Sequence, residues 1–217
     1  MKPVTYNLKL AMVFGSLAAF MFSCGEPDPN WINYRLPPAR PVQALHLGAE
    51  VKDLVLTDTN ETTHSIEAYR DHIVILDFWS CRCLYVEKSE KARQQLIAQY
   101  RPRGVVYLAM DSNRDEDPGE IKQYLAEHHS SYTVFVDYFG TTAKRFNATR
   151  TPQSFVLDHE GVMRFIGSPF SPEQWAKTEP DRADWLEAAL DSLLAGSLPE
   201  PSTRPPSGSQ IRLYRGP

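Results

Sequence analysis

Two cysteines stand two residues apart, Cys81 and Cys83, at the end of the apolar run from Ile73 to Trp79 and just ahead of a helical pattern that begins LYVEKSE. A sulfur that opens a helix meets free backbone N–H groups and the positive end of the macrodipole, and both favour the thiolate. The thiolate is the form that attacks disulfides and binds soft metals. Arg82 adds positive charge between the two sulfurs. Cys83 is therefore the candidate nucleophile; the alternative is an inert, small apolar residue packed under the helix. Cys81 leaves two readings open. A C-x-C disulfide is strained because disulfide geometry is specific and its loop is very short. Cys81 either resolves a mixed disulfide held at Cys83 or is incidental. In a C-x-x-C pair the second thiol would stand three residues after Cys83, on the same side of the helix. Val86 occupies that position.

These residues need a scaffold, and the flanking sequence supplies one. HIVILDFW is a continuous apolar run rich in β-branched residues, the pattern of a central strand covered on both faces. Before it, Leu54–Ser65 reads as a short hairpin with Asn60 in its turn. After it, LYVEKSEKARQQLIAQY places Tyr85, Ala92, Leu96 and Tyr100 on one helical face. Gly104 then precedes VVYLAM, a second buried strand. Asp117, Pro118 and Glu120 form a capping box with proline in the first turn, opening the helix that carries EIKQYLAEHH. A third strand, YTVFVD, leads to a short helix around TTAKRF. RTPQSFVLD and VMRFIG, joined by HEG, form an antiparallel hairpin. A last helix from about Asp181 puts Leu186, Ala189, Leu190 and Leu193 on one face and stops at Gly196. This order implies an α/β fold, a central mixed sheet flanked by helices, with an N-terminal hairpin extension.

The ends of the 217-residue chain differ from this core. Residues 1–23 combine Lys2 and Lys9 with an apolar stretch, Leu10–Phe22, too short to span a bilayer comfortably. Ser23-Cys24-Gly25 follows and resembles the lipobox of bacterial lipoproteins, which makes Cys24 the expected lipidation site. The expected organisation is a signal peptide at 1–23, a proline-rich tether at 24–44, the folded domain at 45–196 and an extended C-terminal tail at 197–217. The expected location is the bacterial cell envelope, lipid-anchored to a membrane and facing the periplasm or the exterior. With Cys24 lipidated, Cys81 and Cys83 are too few for a disulfide-stapled scaffold. In oxidising surroundings a spare thiol pair suggests redox or metal work. The net charge of −4 does not suggest a nucleic-acid partner. DSNRDEDPGE mimics a calcium loop, but its sixth position is Glu116 rather than glycine and its twelfth is Lys122 rather than glutamate. It reads as a loop with a helix cap.

An aromatic-ended strand feeding a helix-opening cysteine, with Thr151-Pro152 just before a later strand, resembles the thioredoxin superfamily. DFWSCRCLYVEKSE, LAMDSN, TPQSFVLDHEG and WLEAALDSLLAGSLPEPSTRPP, in that order, resemble exported redoxin-domain proteins: relatives of thiol–disulfide oxidoreductases and of alkyl hydroperoxide reductase/thiol-specific antioxidant proteins. The resemblance implies a thioredoxin-like fold. It also implies Cys83 as nucleophile, with Cys81 its possible partner. Pro152 is then the cis-proline, and Thr151, Pro152 and Trp79 border the substrate. The implied activity is thiol–disulfide exchange with a protein thiol or disulfide or a reductant, needing no cofactor and no metal. Three departures stand out. Val86 holds the usual resolving-cysteine position, Leu84 replaces the proline that often follows the nucleophile, and Ser209 in SGSQIR replaces a cysteine often found in the tail. A peroxiredoxin is the nearest enzymatic alternative. Ser80 lies three before Cys83 as in that family, but Leu76 stands where its motif wants proline, and Pro152 stands where its arginine is expected. Two non-enzymatic readings compete with these: a Cu(I)-binding module, for which C-x-C thiolates are suited, and a non-catalytic redoxin scaffold.

Overall fold

The structure is a computed structural model that describes residues 44–213. The signal segment, Cys24 and the tether up to residue 43 lie outside the described residues.

Five strands form the central sheet in the order β5-β4-β3-β7-β8: β3 (Ile73–Trp79), β4 (Val105–Asp111), β5 (Thr133–Val136), β7 (Gln153–Leu157) and β8 (Met163–Gly167). β3, β4 and β5 run parallel, while β7 lies antiparallel to β3 and to β8. The sheet is mixed, as the sequence pattern requires. A two-stranded hairpin, β1 (Val55–Thr57) and β2 (Thr63–Ser65), precedes it.

The apolar run of β3 is buried along its whole length because both faces of the sheet are covered. Alternation divides the run. Ile73, Ile75 and Trp79 pack with Ala92, Leu96 and Tyr100 of α2 (Glu90–Tyr100), with Ile121 and Tyr124 of α3 (Pro118–Glu127), and with Leu186 and Leu190 of α6 (Asp184–Leu194). Val74, Leu76 and Phe78 pack with Leu56, with Phe155, and with Ala143 and Phe146 of α4 (Thr141–Phe146). Each fully buried side chain of this size contributes about 1.5–3 kcal/mol by leaving water, so β3 is the best-anchored element and a firm base for the cysteine-bearing turn at its end.

The helix after Cys83 is not continuous. α1 (Leu84–Lys88) ends at Ser89, and α2 restarts there. Ser89 Oγ donates back to the Tyr85 carbonyl at 2.7 Å, a local bond that competes with the helical ladder. The break takes Tyr85 off the face of Ala92, Leu96 and Tyr100. Tyr85 is instead partly exposed and meets Trp175 edge-on at 5.2 Å. The capping box appears as expected: Asp117 accepts from the Gly119 and Glu120 amides, and Glu120 accepts from the Asp117 amide. A short helix not expected from the sequence pattern, α5 (Pro172–Ala176), precedes α6, which begins at Asp184 rather than near Asp181. Ser171 caps α5 through the Gln174 amide, and the Asp181 carboxylate pairs with Lys177. Gly196 follows the last helix with φ +76°, a conformation that glycine adopts without strain.

The C-terminal tail, expected to be merely extended, is built into the domain. β9 (Ser209–Gln210) pairs antiparallel with β6 (Arg150–Thr151), and Thr203 bridges Ile166 at the β8 edge. Ile211 is buried in the core on the α4 side.

Candidate active site

Cys83 is the N-cap residue of α1, with extended backbone angles and a carbonyl that accepts the first helical bond, from Glu87 N. It stands where the rigid end of β3 meets the helix, after a tight turn in which the Cys83 amide donates to the Ser80 carbonyl. The residue is only 2% exposed. Its sulfur lies within hydrogen-bond distance of the Thr151 carbonyl, at 3.1 Å, and of the Ser209 hydroxyl, at 3.2 Å. The Thr151–Pro152 peptide bond is cis, as the thioredoxin resemblance implied. Three segments far apart in the chain thus converge on one sulfur: the β3–α1 turn, the loop before β7, and the tail.

Cys81 has a different environment. A buried carboxylate, Glu116, gathers the residues of the turn. Its Oε2 accepts from the Cys81 amide at 2.8 Å and from the Cys81 thiol at 3.0 Å. Its Oε1 accepts from the Ser80 hydroxyl at 2.5 Å and from the Arg212 guanidinium at 3.0 Å. Burial, followed by the bond to Glu116 and its negative charge, pushes the Cys81 thiol far above its ordinary range. Cys81 therefore stays a protonated thiol at neutral pH. Asp111, at the end of β4, lies close to this carboxylate; burial and the charge of Glu116 raise it to about 8. Arg82 does not lend its charge to the sulfurs as expected. It pairs with Glu120 and, at 3.6 Å, with Asp115, so its charge is neutralised in the acidic loop.

Beneath the site a buried polar network fastens α1 and α2 to the sheet. Asp77 of β3 accepts from the Tyr107 hydroxyl at 2.6 Å and the Ser154 hydroxyl at 2.7 Å, with Arg93 Nε 3.7 Å away. Arg93 also bonds Glu90 at 2.6 Å, the Val86 carbonyl at 3.2 Å and Ser89 Oγ at 3.1 Å. Glu90 in turn accepts from Tyr132 and Ser130. Burial alone would discourage its charge, but Arg93 and these hydroxyls outweigh that and hold the Glu90 carboxyl below its ordinary value. Buried charges are stable only when paired and hydrogen-bonded in this way.

Of the residues singled out from sequence, the structure brings Cys83, Thr151 and Pro152 together. Trp79 does not border a substrate surface. It is wholly buried, its indole edge-on to Tyr124 at 5.1 Å, because the alternation of β3 turns it into the core on the α2 side. It supports the turn from below. Val86 is fully buried, in the same core cluster as Cys83. The Ser80 hydroxyl is engaged with Glu116 and with the Arg82 amide rather than with the Cys83 sulfur. Sequence reasoning missed Glu116, whose acidic surroundings, RDEDPGE, read as a loop with a helix cap. The clue was its position in a loop that follows a buried parallel strand, where side chains reach the C-terminal edge of the sheet. Ser209 was noted only as a departure in the tail, and its placement against Cys83 is a tertiary fact.

Several known proteins share parts of this chain. Thiol-disulfide oxidoreductase ResA of Bacillus thuringiensis subsp. konkukian is 26% identical over 133 residues, 61% of this chain and 76% of that relative. Thiol-disulfide oxidoreductase YkuV of Bacillus subtilis is 28% identical over 92 residues, 42% of this chain and 62% of that protein. Among solved structures, a hypothetical protein from Sinorhizobium meliloti 1021 superposes with a TM-score of 0.72 at 22% identity, covering 80% of this chain and 98% of that one. A putative thiol:disulfide interchange protein DsbE from Chlorobium tepidum superposes with a TM-score of 0.52 at 23% identity, covering 60% and 90%. These likenesses establish the thioredoxin-like fold. The family model of the AhpC/TSA proteins matches residues 47–166, more than half of the chain, and the chain belongs to this family of redoxin domains.

Proposed function

We propose that this protein is a thiol–disulfide oxidoreductase of the cell envelope in which Cys83 is the nucleophile. The observation that carries the reading is the placement of Cys83 Sγ at the mouth of α1, 3.1 Å from the Thr151 carbonyl. A second observation separates the two sulfurs: Cys81 is held protonated by burial and by Glu116. The names and sequences of the curated relatives support exchange chemistry rather than peroxide reduction.

The Cys83 thiolate attacks one sulfur of a substrate disulfide R–S–S–R′. The new Cys83–S–S–R bond forms as the R–S–S–R′ bond breaks, and R′S⁻ leaves and takes up a proton. A second thiol then attacks the mixed disulfide and releases RS⁻. With Val86 in the C-x-x-C position, that thiol comes from an external reductant or from Cys81, and its proton is taken up by the leaving RS⁻. The redox partner is a protein thiol or disulfide, and the two sulfurs carry the electrons without a cofactor.

The test is turnover of a model protein disulfide with a chemical reductant. Wild type should accelerate reduction and Cys83→Ser should not; equal rates for the two would remove Cys83 from the reaction. Membrane attachment rests on Cys24, which lies outside the described residues. Among the described residues no helix is long and apolar enough to cross a membrane. Cys24→Ser should release the protein from the membrane fraction, and retention of the unprocessed N-terminus on wild type would refute the lipid anchor.

A further inference from the structure

We propose that Ser209 is a catalytic residue of the exchange reaction, a hydroxyl donor to the Cys83 thiolate that the C-terminal segment carries into the site. The proposal rests on Cys83 being the nucleophile of that reaction.

Each neighbour of the sulfur offers it something different. As a thiol, Cys83 has one proton, which either the Thr151 carbonyl or Ser209 Oγ is close enough to accept. As a thiolate it has no proton to give and can only accept. The Thr151 carbonyl is also an acceptor only, so ionisation turns that contact from a bond into a repulsion. A serine hydroxyl is both acceptor and donor and reorients about one bond. Ser209 Oγ, 3.2 Å from the sulfur, therefore switches role without moving. Cys83 is buried, only 2% exposed as a residue, so little water is at hand to take the hydroxyl's place. A hydrogen bond to an ionised group belongs to the strong class.

The segment that bears Ser209 is fixed on both sides of it. Thr151 pairs with Ser209 and Arg150 with Gln210 in the β6–β9 ladder. Ser207 Oγ accepts from the Trp175 indole at 2.7 Å. Gly208 lies so close that an added Cβ would come within 2.1 Å of the Thr151 carbonyl, so the strap rests flush against the loop. The Ile211 amide donates to the Thr149 carbonyl at 3.0 Å. Arg212 closes the far end, bonding Asp115 at 2.8 Å and Glu116 at 3.0 Å. Through the β6–β9 pairing Ser209 sits directly against Thr151, beside the sulfur. In the reaction the hydroxyl keeps its own proton: it holds the sulfur's charge before attack and is released when that charge passes into the new S–S bond and on to R′S⁻.

The experiment uses the full-length protein and compares wild type, Ser209→Ala and Ser209→Thr. Iodoacetamide labelling of the Cys83 peptide is followed by mass spectrometry across pH, and the rate of mixed-disulfide formation with glutathione disulfide is measured in parallel. Ser209→Ala should label Cys83 about tenfold more slowly near neutral pH, the loss expected for one hydrogen bond to a charged group. The deficit should close at strongly alkaline pH, and Ser209→Thr should restore most of the rate. A deficit that is the same at every pH, or none at all, overturns the proposal. A further variant reports the contact independently: the thiol introduced by Ser209→Cys should form a disulfide with Cys83 under mild oxidation, and its failure to do so would contradict the placement of the strap. The exchange reading fails separately, if wild type forms no mixed disulfide at Cys83 while the pH-dependent labelling difference persists.

Discussion

The Cys81 thiol donates to the Glu116 carboxylate at 3.0 Å, and the same oxygen takes the Cys81 amide at 2.8 Å. One buried carboxylate thus fixes the turn and suppresses ionisation of one of the two sulfurs. Glu116→Gln keeps the shape but removes the negative charge, which after burial is the main reason the Cys81 thiol resists losing its proton. In a Cys83→Ser background, Cys81 of the Glu116→Gln variant should alkylate several times faster at mildly alkaline pH. Equal rates would mean that burial alone sets the reactivity of Cys81.

Asp111 gives the fold a pH signature. Its folded pKa, about 8, lies above the ordinary value of 3.8 because of burial and Glu116. Between those two values the folded state holds a proton that the unfolded state has released. Asp111 therefore costs no stability below about pH 4 and erodes stability progressively up to about pH 8. Asp111→Asn mimics the protonated acid. Urea denaturation should show wild type losing stability relative to Asp111→Asn across this window and running parallel to it in more acidic solution. A difference that grows on the acid side would reverse the sign of the argument.

Arg93 is the shared partner of Asp77 and Glu90 and also holds the Val86 carbonyl. Arg93→Met leaves two buried carboxylates without their cation. The cost expected for breaking a buried pair is about 3–5 kcal/mol, measured as a lower urea midpoint at unchanged slope. A loss within the range of a surface substitution would show that the hydroxyls of Tyr107, Ser154, Tyr132 and Ser130 suffice.

Val86 lies three residues after Cys83, in the first turn of α1, and is buried in the same core cluster. Val86→Cys should create a C-x-x-C pair that forms a disulfide with Cys83 and raises turnover on a model protein disulfide. Adding Cys81→Ser should change that turnover little. If mild oxidation leaves the new thiol free, the two positions do not face one another.

Much of this arrangement is legible in the sequence. The unbroken apolar run of β3, the capping box at Asp117 and the Thr151-Pro152 dipeptide are local signals, and each identifies one element or one bond. The hidden part depends on contacts across the chain. Ser89 is a tolerable helix residue by composition, and its bond back to Tyr85, at the break between α1 and α2, is not written in the local pattern. Glu116 sits in an acidic run that reads as a loop with a helix cap, yet its side chain is fully buried because the turn at Ser80–Cys81 and Arg212 close over it. The proline-rich tail carries no strong strand pattern. Its two-residue strand exists because Thr151 offers it an unpaired edge.

Cys83, rather than Cys81, is the sulfur proposed to enter exchange. The direct measurement is to treat reduced protein with a limiting amount of glutathione disulfide, quench with acid and map the adduct by mass spectrometry. The account predicts glutathione on Cys83 in wild type and in Cys81→Ser, and little adduct on Cys81 in Cys83→Ser. Faster or preferential modification of Cys81 would contradict it.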